Sequence, residues 1–323
     1  MTTVYPPVRP RRPLRAYLYL SLAMLSVGSI VPASRVFAVA VPPALAGALR
    51  LLVAAAVLLP WAARRERAAL SRPLTAHDAL LLAVQAAAGT VGFTVLLALG
   101  TARTTASEAS IISGTLPVVA ALLAMALFGE RPTPRRWAAV ALAVAGLCAI
   151  AWPTGPGAAG AAQGGKRLAG DLLVLAAVAC ESLFILLQKR LRCPLPALAQ
   201  SAVMCALGLA YLLPLAAGDA RRLSLGAVPL AAWLAIAYYG LVPTVLGFVW
   251  WYRGAQEVSG SEAGLFTALM PVAGTGLSAL VLGEALGPRH VVALALVLAA
   301  MLLGAGGDRP RASSQRAAPG EAA

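Results

Sequence analysis

A segment in the first half of the chain occurs again in the second half, and this duplication constrains the fold more than any other feature of the sequence. Residues 107–136 return at residues 261–290, 154 positions further along and without a gap. Across residues 107–142, 13 of 36 positions are identical at that offset, and they include Glu, Pro and Arg residues that a shared apolar composition would not supply. Repeats of this length indicate two equivalent half-domains.

Apolar runs separated by short polar or Pro/Gly-bearing loops fill both repeats. Hydrophobic residues make up 60% of the 323 residues, charged residues 12%, and the mean hydropathy is +0.82. Globular domains average about 25% charged residues, whereas a bilayer core ~30 Å thick needs about 20 apolar residues per helix. The sequence therefore predicts an all-α integral membrane protein with ten transmembrane helices in two inverted five-helix repeats. The predicted spans are residues 16–37, 44–63, 79–100, 106–128, 137–152, 170–187, 195–217, 229–252, 262–282 and 291–303.

The distribution of basic residues indicates a membrane topology rather than nucleic-acid binding. The formal net charge is +14, but Lys and Arg lie between the apolar runs and form no separate basic domain. With a cytoplasmic N-terminus, the inner loops and tails hold 18 basic residues and the outer ones 7, which is the positive-inside pattern. We expect a multi-pass inner-membrane protein with both termini cytoplasmic. Its expected partners are a small-molecule substrate and the lipid bilayer, without nucleic acid, and the sequence leaves the oligomeric state open.

A Gly-rich stretch joins the two repeats, and polar tails flank them. We divide the chain into a basic Pro-rich tail (1–14), a first repeat (15–153), a linker (154–169), a second repeat (170–304) and a C-terminal tail (305–323). The linker contains G-x-G-x-x-G and then Lys166, but a phosphate-binding loop needs a preceding strand and a hydroxyl after the Lys, where this chain has Arg167. We interpret it as a flexible linker. The four cysteines lack metal-ligand spacing, and no cofactor or metal is predicted.

Two charged residues lie deep within predicted spans. Arg50 follows Pro43 by seven residues, which places it ~10 Å below the outer edge of the second span at 1.5 Å per residue. Its counterpart in the second repeat is Met204, and its alternative role is snorkelling to the interface. Glu181 lies ~12 to 15 Å from either end of the sixth span. A carboxylate at such a depth costs about 2.5 to 3.5 kcal/mol and usually faces a cavity or a partner.

These two charges are the leading candidates for a site. Their depths differ by only ~5 Å, so we predict that Arg50 and Glu181 pair in one state and separate in another. Further candidates for substrate or proton binding are Gln85, Tyr238, Tyr239 and Trp250. Trp250 lies near the end of a span, where an indole ring also serves as an interfacial anchor.

Three prolines inside predicted spans indicate hinges or kinks. Pro117 and Pro271 occupy equivalent positions in the fourth and ninth spans and should bend them at equal depths. Pro243 should kink or break the eighth span. Broken helices often line transport sites, whereas a kink accommodated by neighbouring helices is the plain structural alternative.

The repeated segment opens with a helix-start pattern in both copies. Glu108 and Glu262 each complete an S/T-x-x-E sequence, that of a capping box. In a capping box the hydroxyl accepts from an unpaired backbone N–H and the Glu reaches back to another, while the helix dipole favours the carboxylate. We therefore predict that both Glu residues are caps rather than substrate contacts.

Two copies of S-E-A-x7-P followed by G-E, set among ten apolar runs, resemble the drug/metabolite transporter superfamily, specifically the EamA type. The resemblance covers residues 15–303. It implies two inverted five-helix repeats around a central cavity, and export or uptake of small metabolites by alternating access. Arg50 falls where such proteins often carry an Arg in the second helix. The first span departs from the pattern, with Val27-Gly28 where Trp-Gly is frequent.

The sequence thus predicts a secondary transporter for a small organic metabolite or drug, with export as the expected direction. In this hypothesis Glu181 is the proton or cation site and Arg50 orients an anionic group, and an amino acid would satisfy both. One alternative is efflux of a cationic drug through Glu181. Another is a membrane-embedded lipid-modifying enzyme, although no nucleophile–base pair or metal cluster occurs within the spans. We expect a transporter and not an enzyme.

Overall fold

The computed structural model describes residues 13–129, 133–151, 161–188, 190–193, 195–255, 257–258 and 266–305, and these residues form helices without a strand. The helices of the first half are α1 (Pro13–Gly28), α2 (Ile30–Ala38), α3 (Pro43–Arg65), α4 (Arg67–Leu70), α5 (Ala76–Gln85), π1 (Ala86–Gly92), α6 (Phe93–Thr101), α7 (Ala106–Ser113), α8 (Leu116–Phe128) and α9 (Pro134–Ala151). Those of the second half are α10 (Ala161–Gln188), α11 (Ala197–Arg222), a 3-10 turn (Leu225–Ala227), α12 (Leu230–Tyr239), π2 (Gly240–Leu246), α13 (Gly247–Ala255), α14 (Leu269–Leu282) and α15 (Pro288–Ala305).

The predicted apolar runs fall on these helices. Within the described residues, six helices are long and apolar enough to cross a membrane, and the bent pair α7–α8 makes up to seven. Three further apolar helices have 10–17 residues: Trp137–Ile150, Leu269–Leu282 and Pro288–Leu303. The all-helical membrane fold is confirmed, and the count of ten spans stays a prediction.

The duplication in the sequence is also visible in the secondary structure. At the same offset of 154 residues, α9 corresponds to α15 at both ends, and π1 corresponds to π2 at both ends. The left-handed residues Gly129 (φ 64°) and Gly283 (φ 68°) end α8 and α14. Only Gly adopts this conformation without steric cost. Pro134 and Pro288 then begin the next helix, where their missing N–H costs no hydrogen bond.

The predicted bend at Pro117 is confirmed. The axes of α7 and α8 differ by 47° across a break at Gly114 and Thr115, and Pro117 lies in the first turn of α8. A Cβ on Gly114 would lie 3.0 Å from Pro271, so the break of one half packs against the equivalent proline of the other. The bend at Pro271 stays a prediction because residues 259–265 lie outside the described part of the chain.

Pro243 does not break its helix, and the kink that was the other predicted outcome stays a prediction. The segments α12, π2 and α13 form one span, Leu230–Trp251. Pro243 removes a backbone donor, and the Thr244 hydroxyl donates instead to the Tyr239 carbonyl at 2.9 Å. The wide π turn is not caused by the proline alone, since π1 has the sequence AAAGTVG. A π segment in both halves is a feature of the repeat, and such segments are frequent at functional sites.

The predicted linker differs from the structure in its second part. Residues 161–169 are helical and form the first turns of α10. Residues 152–160, which carry most of its glycines, lie outside the described residues. The boundaries of the two repeats stay predictions.

Small residues let helices from the two halves approach closely. The helix pairs α3–α11 and α9–α15 are in extensive contact. A Cβ on Gly47 of α3 would lie 2.8 Å from Leu212 of α11, and one on Gly146 of α9 would lie 2.9 Å from Val297 of α15. Close approach of this kind is how membrane helices gain packing energy. The contact between α3 and α11 also holds α3 in an orientation in which Arg50 contacts residues of both halves.

Candidate functional site

Arg50 points into the protein from the second turn of α3 and is 6% exposed. Its Nη1 donates to Thr244 Oγ1 at 3.0 Å and its Nη2 donates to Thr94 Oγ1 at 2.7 Å. These partners lie on π2 and α6, so both halves hold the guanidinium. The snorkelling alternative is therefore excluded in this conformation.

Both threonines present oxygen lone pairs to the arginine because their hydroxyl hydrogens are used elsewhere. Thr94 Oγ1 donates to the Thr90 carbonyl at 2.6 Å, and Thr244 Oγ1 donates to the Tyr239 carbonyl at 2.9 Å. A hydroxyl has one hydrogen and two acceptor lone pairs. Each hydroxyl is thereby oriented as an acceptor before the guanidinium binds.

The third contact of Arg50 is aromatic. Its Cζ lies 4.4 Å from the ring centroid of Tyr239, which is 2% exposed and stacks on Phe37. A desolvated cation–π contact contributes about 2 kcal/mol. Its Nε is buried and has no hydrogen-bond partner among the described residues. All of these contacts are to neutral groups, so the positive charge remains free to bind an anion.

Glu181 supplies the opposite charge on α10. The helix α10 packs against α6, which carries Thr94, and against π1. In the described part of the chain no cation lies within 4.0 Å of the Glu181 carboxylate, and this carboxylate accepts no hydrogen bond. Glu181 thus lies on a helix that packs against the helix of Thr94, and it does not pair with Arg50 in this conformation.

Arg50, Thr94, Thr244 and Tyr239 form a polar centre. Close packing of α10 on π1 determines where Glu181 lies relative to it. A Cβ on Gly92 would lie 3.0 Å from Cys180 Sγ, and a Cβ on Gly89 would collide with the Phe184 ring. Glu181 lies on α10 between these two contacts. The π1 glycines therefore determine how near the carboxylate comes to the centre.

The other predicted residues differ in how they relate to this centre. Gln85 is 0% exposed, its Nε2 donates to the Phe184 carbonyl at 2.9 Å, and its Oε1 is buried without a partner among the described residues. The Tyr238 hydroxyl lies 2.7 Å from Ser29 Oγ. Trp250 is half-buried on α13, away from these contacts. The structure brings Arg50 and Tyr239 together, and Glu181 lies on α10, the helix whose Phe184 carbonyl Gln85 contacts.

Glu108 is only partly described by the capping-box prediction. Thr105 Oγ1 accepts from the Glu108 N–H at 3.2 Å, which is the predicted hydroxyl cap. The carboxylate does not reach back to the backbone. It is 0% exposed, and its two oxygens bind side chains of the second half. The cap prediction for the Glu108 carboxylate is wrong because two guanidiniums are stronger partners than a backbone amide. Glu262 lies outside the described residues.

Glu108 and its partners form a buried network of ion pairs and hydrogen bonds, at the end of the helix bundle where α7 begins. The sequence did not predict this network. Arg167 binds both carboxylate oxygens, with its Nε 3.0 Å from Oε2. Arg289 Nη2 lies 2.9 Å from Oε1, and Thr104 Oγ1 lies 2.8 Å from Oε2. The sequence signal for this network was weak, since both arginines occupy helix starts that also suit interfacial charges.

Glu284 performs the capping that was predicted for Glu108. Its carboxylate accepts from the backbone N–H groups of Ala106 and Ser107 at 2.8 and 2.7 Å and from Ser107 Oγ at 2.7 Å. It therefore satisfies the N-terminus of α7 from the end of α14, in the other half. Anionic side chains are favoured at this position by the helix dipole.

A separate cavity of about 300 Å³ opens at the other end of α3. It lies between α3, α11 and α13, and its lining is about equally polar and apolar. Its lining residues are Leu58, Trp61, Arg65, Glu66, Ala197, Leu198, Ser201, Phe248, Val249 and Arg253. Glu66 is engaged there, since its Oε2 accepts from the Ala199 N–H at 2.6 Å. Across the described residues, no group of three or more His, Cys, Asp or Glu is arranged to hold a metal ion.

Fold and site together define a multi-pass helical membrane protein with a polar centre shared between two duplicated halves. Residues 14–152 and 168–305 each match the EamA-like transporter family. The chain belongs to this family, which consists of transporters and not enzymes, and the resemblance to the drug/metabolite transporters is confirmed.

Individual relatives support membrane transport. The chain is 32% identical to the "Uncharacterized transporter YetK" of Bacillus subtilis (strain 168), over 89% of this chain and 86% of the relative. It is 30% identical to a "Probable terminal-alkyne amino-acid exporter" of Streptantibioticus cattleyicolor, over 90% of this chain and 93% of the relative. A solved crystal structure aligns with a TM-score of 0.59 and 23% identity, over 89% of this chain and 95% of that one, and supports the fold.

Proposed function

We propose that the chain is a secondary transporter that exports a small, amino-acid-like metabolite by alternating access. The observation that carries the proposal is the buried Arg50 guanidinium, held only by neutral groups, together with the unpaired Glu181 on α10, which packs against α6 and π1. Unpaired charges within a membrane protein are expensive and mark substrate or ion pathways. The amino-acid exporter among the relatives supports the same substrate class.

A zwitterion fits this pair of charges. Its carboxylate accepts from the Arg50 guanidinium, whose fork geometry suits a planar anion. Its ammonium binds Glu181. Because the two protein charges do not neutralise each other in this conformation, the substrate meets both without first breaking an ion pair.

The position of the site between the halves supports alternating access. Arg50 and Thr94 belong to the first half, whereas Thr244, Tyr239 and Glu181 belong to the second. Rocking of one half against the other alters the site and its accessibility together. Ten spans, inverted repeats and cytoplasmic termini complete this proposal.

A second candidate is efflux of organic cations through Glu181 alone. It is favoured by the same unpaired carboxylate, and it assigns Arg50 to positioning rather than to substrate. Arg50→Ala separates the two functions, because it should abolish transport of zwitterions and spare that of cations.

The experiment is uptake and efflux of radiolabelled amino acids and of organic cations in liposomes containing the purified protein. We expect amino-acid flux in the wild type, its loss in Arg50→Ala and in Glu181→Gln, and full flux in the control Arg64→Ala, which removes an exposed Arg of the same helix. Absence of amino-acid flux in the wild type, or wild-type flux in Arg50→Ala, would overturn the proposed substrate class.

A further inference from the structure

The Glu108 network contains a hydroxyl that bridges two carboxyl groups. Thr104 Oγ1 lies 2.8 Å from Glu108 Oε2 and 2.6 Å from Asp171 Oδ1. Both separations are those of O–H···O hydrogen bonds. Thr104 precedes α7, and Asp171 lies in the third turn of α10, so the bridge joins the two halves of the protein.

Hydrogen counting shows that this geometry needs one more proton than two carboxylates and one hydroxyl supply. A Thr hydroxyl has a single hydrogen, and an ionised carboxylate is an acceptor only. Thr104 can therefore donate to one of the two groups. The other carboxyl oxygen must carry a hydrogen and donate it to Thr104 Oγ1, since otherwise two oxygen lone pairs would oppose each other at hydrogen-bond distance.

The cations identify which carboxyl is protonated. Glu108 lies within 3.0 Å of the guanidinium groups of both Arg167 and Arg289, which are the ion-pair partners of a carboxylate. In the described part of the chain no cationic nitrogen lies within 4.0 Å of Asp171, whose hydrogen-bond partner there is Thr104. The extra proton therefore belongs on Asp171.

The neighbouring histidine is not the carrier. His290 Nδ1 accepts from the Gly287 N–H at 3.0 Å, so Nδ1 bears no hydrogen and the ring is neutral. Its Nε2 lies 3.6 Å from Glu108 Oε1. The charged groups that act on Asp171 are Glu108 from α7, Arg167 from its own helix and Arg289 from α15.

We propose that Asp171 is a proton-binding site of the transporter, which carries its proton in this conformation and exchanges it with solvent at this end of the bundle. The Asp171 O–H donates to Thr104 Oγ1, and the Thr104 hydroxyl donates to Glu108. On release the O–H bond breaks, the proton passes to water and Asp171 becomes a carboxylate. Asp171 is half-buried, so water reaches it from the helix end.

Release of the proton changes the contacts between the halves. Thr104 cannot donate to two carboxylates, so one of its bridges is lost. Arg289 Nη1 is buried without a hydrogen-bond partner among the described residues, and it is the donor that a charged Asp171 would recruit. Arg289 would then be drawn from Glu108 toward Asp171, which couples protonation to the contact between α7 and α15.

The inference rests on the proposed transport function for its role as a coupling site, but the proton itself is measured without transport. Infrared spectroscopy of the protein in lipid nanodiscs detects the C=O stretch of a protonated carboxyl. We expect a band that is lost in Asp171→Asn and that declines in the wild type as pH rises. The comparison is made in a Glu181→Gln background, which removes the other carboxyl of the membrane interior. Asp219→Asn, on α11, is the control and should retain the band.

Identical spectra of the parent and Asp171→Asn in this region would overturn the proposal. If Asp171→Asn does not fold, Thr104→Ala is measured instead. It should shift the frequency of the same band because the acid loses its acceptor, and an unshifted band would equally overturn the assignment.

Flux in liposomes then tests coupling. Asn keeps the hydrogen bond to Thr104 and mimics the protonated acid, so Asp171→Asn should transport without the wild-type dependence on a pH gradient, while Asp219→Asn retains it. Unchanged gradient dependence in Asp171→Asn would overturn the coupling role. Failure of the wild type to transport any substrate tested would instead count against the proposed function, and the infrared result would still decide whether Asp171 holds a proton.

Discussion

Arg50 is held by two hydroxyls and an aromatic ring, and these neutral partners are the reason that we propose it as a binding residue. A carboxylate at the same distance would neutralise the guanidinium, and an anionic substrate would then gain little electrostatic energy on binding. The threonines accept from its Nη1 and Nη2 without cancelling its charge. Glu181 lies on α10, which packs against the helix of Thr94, and it is not paired with Arg50.

Replacing Arg50 by Lys tests whether geometry as well as charge matters. Lys keeps the charge but loses the planar fork and the stacking on Tyr239. We expect Arg50→Lys to weaken binding of a carboxylate substrate by at least about tenfold, or ~1.4 kcal/mol. The measurement is substrate affinity by scintillation proximity, with Arg64→Lys as the control on the same helix. Unchanged affinity would show that the positive charge at position 50 is sufficient for substrate binding.

A double-mutant cycle tests whether Arg50 and Glu181 act as one unit. Both bind the same substrate in our proposal, so Arg50→Ala with Glu181→Gln should be no worse than the worse single variant. Initial flux rates in liposomes give the four corners of the cycle. Losses that add would mean that the two charges serve separate steps.

Glu108 illustrates how a helix-start residue acquires another role in the folded protein. Breaking a buried ion pair by removing one partner costs about 3–5 kcal/mol. Glu108→Gln should therefore lower the thermal unfolding midpoint markedly, because it leaves two guanidiniums facing an uncharged amide. Glu257→Gln changes an exposed carboxylate and serves as the control. Equal unfolding midpoints for the two variants would show that the ion pairs of Glu108 do not stabilise the fold and would favour the helix-cap interpretation.

At the scale of elements, the paired π segments are the feature that most affects the site. In π2, Pro243 lacks the N–H that an α-helix would direct at the Tyr239 carbonyl four residues earlier, and this carbonyl accepts from Thr244 Oγ1 instead. In π1 the glycines allow α10 to pack directly on the backbone. The two π segments therefore affect the site in different ways. Thr244 in π2 is oriented as an acceptor for Arg50, and π1 leaves room for α10 to pack closely.

Gly89 allows a sharp test of this packing. Its added Cβ would collide with Phe184, whereas a Cβ on Gly276 of α14 would meet nothing within 4 Å. We expect Gly89→Ala to lower the thermal unfolding midpoint and to reduce flux by displacing α10 and Glu181. Gly276→Ala should be neutral or slightly stabilising because Ala is the better helix former. Equal behaviour of the two variants would exclude a steric role for Gly89.

At the scale of the whole molecule, the duplication places equivalent helices against each other and the site between the halves. Pairs α3–α11 and α9–α15 are each a helix and its repeat counterpart in contact. The polar residues break this symmetry: Arg50 has Met204 as its counterpart, and Asp171 has Tyr17. The two halves thus share an arrangement of helices but carry different polar side chains at equivalent positions.

The proposed topology is tested by labelling. Single cysteines at Ser71 and Gly164, both exposed, are introduced into a Cys-free background. We expect a membrane-impermeant maleimide to label Ser71→Cys from the cytoplasmic side and Gly164→Cys from the outer side. Labelling of both from one side would contradict the inverted ten-span arrangement.

The sequence by itself determined the features that depend on neighbouring residues. Apolar runs specify membrane helices, left-handed Gly residues such as Gly129 end them, and Pro117 bends one, because these effects act within a turn or two of the chain. The depth of Arg50 also followed from counting along one helix. The family resemblance rested on the same repeated segment.

Only the tertiary structure decided which groups meet. Glu108 fits a local cap in sequence, yet its carboxylate binds Arg167 and Arg289, which lie 59 and 181 residues away in the chain. The Thr104 bridge to Asp171 spans 67 residues. Such contacts arise from how the helices of the two halves pack, and a buried charge selects the strongest partner that packing brings within reach, whatever its distance along the chain.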